Sequence, residues 1–442
     1  MSGADATSEF AARVTSREAV VAVMGLGYVG LPLALEYAQV GFQVVGYDID
    51  ADRVAALGDG RSHVDDVTDA QLAAAVATGR FAPTDSPDAL RGADAVYLCV
   101  PTPFDATKTP DLSYVRAAAT TLGAILTPGQ LVILQSTTYP GTTEEIVQPL
   151  LEAASGMRAG VDFLLAYSPE RVDPANTTWT LANTPKIAGG VTRESGEATR
   201  VLLEAMLEAP GLVTVVSSPR VAEMAKLAEN TYRAVNIAYV NELAMLAHEM
   251  DVDIWEVMEA AATKPFGFQS FLPGIGPGGQ CIPVNPYYIS WKAREFDFHT
   301  SFIELAGDIN LRMASYSVAR VHSFMSRLGR SLAGARVLCL GAAFKAGVSD
   351  VRNSRAVRVM ELLEHEGAQV EFCDPLVERL SLRGSDRKAR LIDDIAYGDY
   401  DLLVALVRNP AWPVAEILAS GVPTFDAVNA LGAPTSATHE RL

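Results

Sequence analysis

Cys281 stands in the run Pro273-Gly-Ile-Gly-Pro-Gly-Gly-Gln-Cys-Ile-Pro283. Glycines on its N-terminal side strip away shielding side chains and Pro283 stiffens the exit, so the thiol either meets a ligand or packs under a glycine-rich turn. Cys99, Cys339 and Cys373 lie inside apolar runs, the usual place for a small buried hydrophobe. Glu223, Lys226, Asn230 and Arg233 recur at three- and four-residue steps, forming one polar stripe on a helix beside a more apolar one of Ala225, Ala228, Tyr232 and Val235. Such a stripe faces water or lines a cleft. Lys226 can take the proton of an alcohol if burial favours its neutral form, and with the Asn230 amide it can stabilise a developing oxyanion. A cysteine thiolate that adds to the resulting aldehyde makes a thiohemiacetal, again an alcohol carbon able to surrender a hydride, now giving a thioester that water opens to an acid. Glu170, in Ser168-Pro-Glu-Arg171, is placed either to activate that water or to cap and salt-bridge the neighbourhood of Arg171.

These residues need elements to position them. Ala19–Met24 is wholly apolar and runs into Gly25-Leu-Gly-Tyr-Val-Gly30, a helical stretch from Leu31 to Val40, and Phe42–Asp48. Strand, glycine turn, helix and strand in that order form a dinucleotide-binding unit. Gly25, Gly27 and Gly30 allow a pyrophosphate to approach the helix N-terminus, and Asp48 falls where a ribose diol would sit. Further strands at 95–100, 130–135 and 163–167 each end in a polar or proline-rich loop, as in a doubly wound parallel sheet. The grammar repeats at 336–341, 354–366 and 370–374, with a degraded glycine pattern. Between the two, 219–328 reads as helical, interrupted from Lys264 to Pro286.

The fold class is therefore α/β: two Rossmann-like doubly wound parallel-sheet domains joined by a central helical domain with a long helix. The expected division is a disordered tail over 1–18, an NAD-binding domain over 19–217, a central helical domain carrying the cysteine loop over 218–328 and a Rossmann-like domain over 329–442. With 442 residues, 49% of them hydrophobic, the chain can bury a core in each domain. Its formal charge of −18 argues against nucleic acid or an anionic membrane as partner. Four scattered cysteines and six scattered histidines give neither a disulfide framework nor a metal site. No apolar run of spanning length is present, and a cytoplasmic protein is expected.

In combination these motifs are specific. Gly25-Leu-Gly-Tyr-Val-Gly-Leu-Pro32, Cys99-Val-Pro-Thr-Pro103, Ser136-Thr-Thr-Tyr-Pro-Gly-Thr-Thr143, Ser168-Pro-Glu-Arg171, Lys226-Leu-Ala-Glu-Asn230 and the Cys281 loop occur in the order of the UDP-glucose/GDP-mannose dehydrogenase family, which the chain resembles over nearly its whole length. Asp173-Pro174, Lys264-Pro-Phe-Gly-Phe268 and Cys281-Ile-Pro-Val284 most resemble the UDP-N-acetylglucosamine/galactosamine 6-dehydrogenase branch. The resemblance implies a two-step, NAD-dependent oxidation of a UDP-N-acetylhexosamine at the sugar 6-position. It makes Cys281 the covalent nucleophile, Lys226 and Asn230 the oxyanion and water-positioning pair, and Glu170 and Thr137 polar members of the site. It places NAD against Gly25, Gly27, Gly30, Asp48, Arg53, Thr102, Thr137 and Arg352. The UDP-sugar falls near Phe271, Gly274, Gly276, Phe344 and Lys345, besides Glu170, Lys226 and Asn230. It also implies a homodimer through the central helices, with Phe302–Asn310 in the interface. Asn285 stands where the family carries an aspartate, Gln280 replaces a frequent histidine and Arg355 a common proline. An amide is no base, so Asn285 motivates two alternatives: an oxidoreductase that stops at the aldehyde or uses another UDP-sugar, and a catalytically silent nucleotide-binding partner protein.

Overall fold

The computed structural model describes residues 3–105 and 108–442. They divide into two compact units, the first reaching Glu229 and including Tyr287–Phe298, the second made of Asn230–Pro286 and His299–Leu442.

The first unit contains α1 (Gly3–Thr15), β1 (Val20–Met24), α2 (Gly30–Gln39), β2 (Gln43–Tyr47), α3 (Ala51–Gly58), α4 (Asp69–Ala77), β3 (Phe81–Thr84), β4 (Ala95–Leu98), α5 (Ser113–Gly123), β5 (Leu131–Leu134), α6 (Gln148–Ser155), β6 (Leu164–Tyr167), β7 (Lys186–Gly190), α7 (Arg193–Glu204) and β8 (Val213–Val216). The strands lie in the order β3-β2-β1-β4-β5-β6-β7-β8. Every residue of β4, β5 and β6 is buried, because helices cover both faces and leave no position for alternation. The first six strands are parallel in the doubly wound order. β7 departs from the expected all-parallel sheet: it pairs antiparallel to β6, with Ala166 facing Gly190 and Tyr167 facing Gly189.

A disordered tail over 1–18 is corrected for the described part of that segment. Gly3–Thr15 is helical, Phe10 and Val14 one turn apart are buried, and α1 packs against α7. Arg13 grips both oxygens of Asp94 at 2.8 Å. Two apolar residues among many alanines gave the sequence pattern too little contrast to reveal this face.

The long helix α8 (Pro219–Glu249) continues from the first unit into the second. After it come α9 (Ile254–Ala262), α10 (Asn285–Ala293), α11 (Ser301–Arg327), β9 (Arg336–Leu340), α12 (Arg355–His365), β10 (Gln369–Cys373), β11 (Arg379–Leu382), β12 (Ser385–Lys388), β13 (Leu402–Ala405), α13 (Val414–Ala419), β14 (Thr424–Asp426) and β15 (His439–Arg441). A five-stranded parallel sheet, β10-β9-β13-β14-β15, forms the second Rossmann-like layer. Met313, Val321 and Phe324 of α11 share its core with Val337, Cys339, Val359 and Met360.

Helix α8 buries polar side chains alongside apolar ones such as Leu227 and Val240. Its polar residues Glu223, Lys226 and Asn230 are buried, whereas Tyr232 and Tyr239 are about half exposed. No helix among the described residues is long and apolar enough to cross a membrane.

Candidate active site

In the first unit the glycine turn is built by close approach. Gly25 has φ +97°, and a Cβ there would lie 2.7 Å from the carbonyl oxygen of Cys99. A Cβ at Gly30 would fall 1.9 Å from the Gly25 carbonyl, so only glycine lets α2 start this close to the turn. Gly27 meets nothing within 4 Å and leaves its backbone open to a ligand. Asp48, just past β2, is buried; its Oδ2 accepts from Leu26 N at 2.8 Å and its Oδ1 from Asp50 N at 3.1 Å. The Arg53 guanidinium contacts both carboxylate oxygens at 3.0–3.1 Å. This cradle, with an open glycine and a fixed acid, fits a dinucleotide. Thr102 Oγ1 donates to the Thr137 carbonyl at 2.8 Å and so joins the loops after β4 and β5.

Two buried acids organise those loops. Glu223 Oε1 accepts from Thr143 N at 2.8 Å and Thr143 Oγ1 at 2.7 Å, and its Oε2 from Gly141 N at 2.5 Å. Burial outweighs these bonds and pushes Glu223 up to about 7. The sequence placed Glu223 on the polar stripe without a role; it anchors the loop that carries Thr137. Glu170 accepts from Lys186 Nζ on both oxygens (2.9 and 3.1 Å), from Gln135 Nε2 (3.0 Å) and from the backbone N–H groups of Arg171 (2.7 Å) and Val172 (2.8 Å). Burial raises this carboxyl, but the Lys186 charge and hydrogen bonds with the two amides more than offset it and leave it below its ordinary value. Arg171 turns its side chain to Glu229 instead, 2.7 Å away. Lys226 is only 7% exposed and has no hydrogen-bond or ion-pair partner among the described residues.

In the second unit the glycines before Cys281 serve packing as much as access. Gly276 has φ +95°, and a Cβ there would lie 2.4 Å from the Asn310 carbonyl of α11. At Gly278 it would lie 2.8 Å from Phe344 Cβ. Gly279 donates to the Arg352 carbonyl at 3.2 Å and accepts from Asn353 Nδ2 at 3.1 Å. Cys281 comes next but one, exposed, with its carbonyl accepting from Val284 N (3.2 Å) and Asn285 N (2.9 Å) at the head of α10. Asn285 is buried, and its Oδ1 accepts from the Asn230 amide. An aspartate would accept the same bond; the amide keeps the acceptor and removes the charge. The remaining thiols are unlike Cys281. Cys339 and Cys373 are buried, and the Cys99 thiol is enclosed although the residue as a whole is half-buried; burial pushes all three up, Cys373 to about 12.

Gly274, Gly276, Phe344 and Lys345 line one cavity of about 330 Å³ in this unit, within the range of small-ligand pockets. Phe271 does not line it and packs edge-on against Tyr232, 5.9 Å between centroids. The Arg352 guanidinium is engaged with both oxygens of Asp350 at 2.7–3.1 Å. Sequence reasoning missed Arg408, which lines the cavity beside Leu406 and Val407 just past β13. The carboxyl-end rule for parallel strands was the signal that could have found it.

The family model described as the UDP-glucose/GDP-mannose dehydrogenase family, NAD binding domain, matches residues 19–207. The central-domain model of the same family matches 220–312 and its UDP binding domain 338–432. The chain belongs to this family. It is an NAD-dependent nucleotide-sugar dehydrogenase. A UDP-N-acetyl-D-mannosamine dehydrogenase of Pyrococcus horikoshii is 37% identical over 410 residues, 92% of this chain and 91% of that protein. A UDP-N-acetyl-D-glucosamine 6-dehydrogenase of Pseudomonas aeruginosa is 38% identical over 357 residues, covering 81% and 83%. Among solved structures, a UDP-D-ManNAc dehydrogenase from Pyrococcus horikoshii superposes with a TM-score of 0.85 at 32% identity, over 96% of this chain and 98% of that one. The cradle around Gly27 and Asp48 lies within the stretch matched by the family's NAD binding domain.

Proposed function

We propose that this dehydrogenase oxidises the 6-hydroxyl of a UDP-N-acetylhexosamine to the carboxylate in two steps through a covalent bond to Cys281. Bound NAD supplies the hydride acceptor for each oxidation. Lys226 takes the hydroxyl proton in the first step, and its ammonium with the Asn230 amide balances the charge that develops on the sugar oxygen. The Cys281 sulfur bonds to the aldehyde carbon, and the alcohol so formed is oxidised to a thioester. Water then displaces the sulfur and releases the acid with a free thiol. Cys281 carries this reading: it is the exposed thiol of the four, held at the head of α10 beside the Asn230–Asn285 contact. The hexosamine rests on the relatives' printed activities.

Cys281→Ser is expected to lower acid formation at least about 1,000-fold while aldehyde chemistry persists. Mass analysis of products from a panel of UDP-sugars, with NADH counted per sugar, provides the check; unchanged acid yield refutes the covalent route. Asn285 favours one competing reading, a single oxidation, and that reading requires one NADH per sugar instead of two.

We further infer a cytoplasmic homodimer. Tyr232, Tyr239 and Leu246 recur every seven residues on α8 with 50–55% exposure, and Phe302 and Leu305 of α11 are 69% and 54% exposed. Tyr239→Asp combined with Leu246→Asp should halve the mass seen by sedimentation equilibrium; an unchanged mass rejects this interface.

A further inference from the structure

The reversal of β7 brings a cation to the carboxyl end of the sheet. Tyr167 faces Gly189, and the same antiparallel register carried on for three residues sets Glu170 opposite Lys186. Were β7 parallel to β6, its first residue would lie at the other end of the sheet. Lys186 is 2% exposed and contacts both oxygens of Glu170, whose remaining acceptor sites are filled by Gln135 and two backbone amides.

We propose that Lys186 is a positioning residue of the dehydrogenase reaction, holding Glu170 as a fixed, ionised hydrogen-bond acceptor that in turn sets the places of Gln135 and of the Arg171–Val172 backbone in the site. The catalytic part of this rests on the proposed function, which puts Glu170 in the site. Other charges near the pair are accounted for. Glu36 of α2 feels the Lys186 charge and is itself raised by burial and by Glu208. The Tyr37–Tyr97 pair and the Cys99 thiol feel Glu170 and are pushed up mainly by burial. The Arg171 side chain is committed to Glu229. Among the described residues, Lys186 is thus the cation in direct contact with Glu170.

The test compares wild type, Lys186→Met, Lys186→Arg and the double variant Lys186→Met with Glu170→Gln, by pH–kcat profile and by urea midpoint against pH. In the wild type the lowered Glu170 stabilises the fold above the ordinary carboxylate range, and that contribution is lost as pH falls through its folded value. Without Lys186, burial raises Glu170, so Lys186→Met should lose stability as pH rises through the raised value, and its midpoint should fall increasingly below wild type toward neutral pH. The double variant removes that slope. At neutral pH, kcat of Lys186→Met should drop about 100-fold, the cost of a misplaced active-site group, and partly recover as pH rises through the raised Glu170 value or in Lys186→Arg. Parallel urea profiles for Lys186→Met and wild type, a slope that survives in the double variant, or a kcat profile equal to wild type each overturn the proposal. Should Cys281→Ser still yield acid, the urea profiles continue to decide the pair, so the two readings fail separately.

Discussion

The two Rossmann-like sheets use the same corner and put it to different ends. In the first, Gly25 at φ +97° presses against the Cys99 carbonyl of the neighbouring strand's exit, and Asp48 past β2 accepts from Leu26 N. In the second, Gly341 at φ +102° would place a Cβ 2.4 Å from Val407 past β13, and Asp374 past β10 accepts from Ala342 N (2.8 Å) and Ala343 N (3.2 Å). The corners correspond residue for residue, yet the segments leading out of them do not. Helix α2 starts at Gly30, five residues after Gly25, whereas α12 starts at Arg355, fourteen after Gly341. A short turn delivers a helix N-terminus and open backbone to the ligand. The long one delivers side chains, Phe344 and Lys345, into a cavity that Arg408 also lines. We infer that one corner recognises its ligand by its backbone and the other by its charges.

The largest effect should come from closing the short corner. Gly25→Ala adds a Cβ at positive φ against a carbonyl that belongs to the sheet and cannot retreat. A cost of about 3 kcal/mol corresponds to roughly 100-fold weaker NAD binding by calorimetry. UDP binding in the same variant should stay within about twofold, because the second corner shares none of these atoms. Comparable losses of both ligands would show that the corners are not independent.

This contrast explains which parts the sequence revealed. Glycine at fixed spacing after an apolar run is a backbone signal, and it is local: Gly25, Gly27, Gly30 and Asp48 fell where expected, and so did the strands at 336–340 and 369–373. The direction of β7 is not local. Lys186–Gly190 is equally apolar in either orientation, so only pairing with β6 settles it, and with it the partner of Glu170. Arg408 and Phe271 illustrate the same limit, since cavity lining depends on which loops converge: Arg408 enters from a strand that carries no motif, and Phe271 turns to Tyr232. Helix α1 was hidden because two buried side chains in an alanine-rich stretch barely alter its pattern. The burial of Glu223, Lys226 and Asn230 was foreshadowed by their spacing, but the loop that Glu223 holds was not.

A smaller effect sharpens the comparison from the other side. If the long corner works by charge, Lys345→Met should weaken UDP binding by about 2 kcal/mol, roughly 30-fold, the scale of one charge-assisted hydrogen bond to a diphosphate. NAD binding should not change, since its cradle depends on Gly27 backbone and Asp48. Salt supplies an internal control: raising ionic strength screens an ammonium–phosphate contact that is reached by solvent, so the wild type should lose UDP affinity with added salt more steeply than Lys345→Met. Equal salt slopes for the two proteins would mean that the long corner, like the short one, holds its ligand by backbone and shape, and that Arg408 or the cavity wall carries the diphosphate without Lys345.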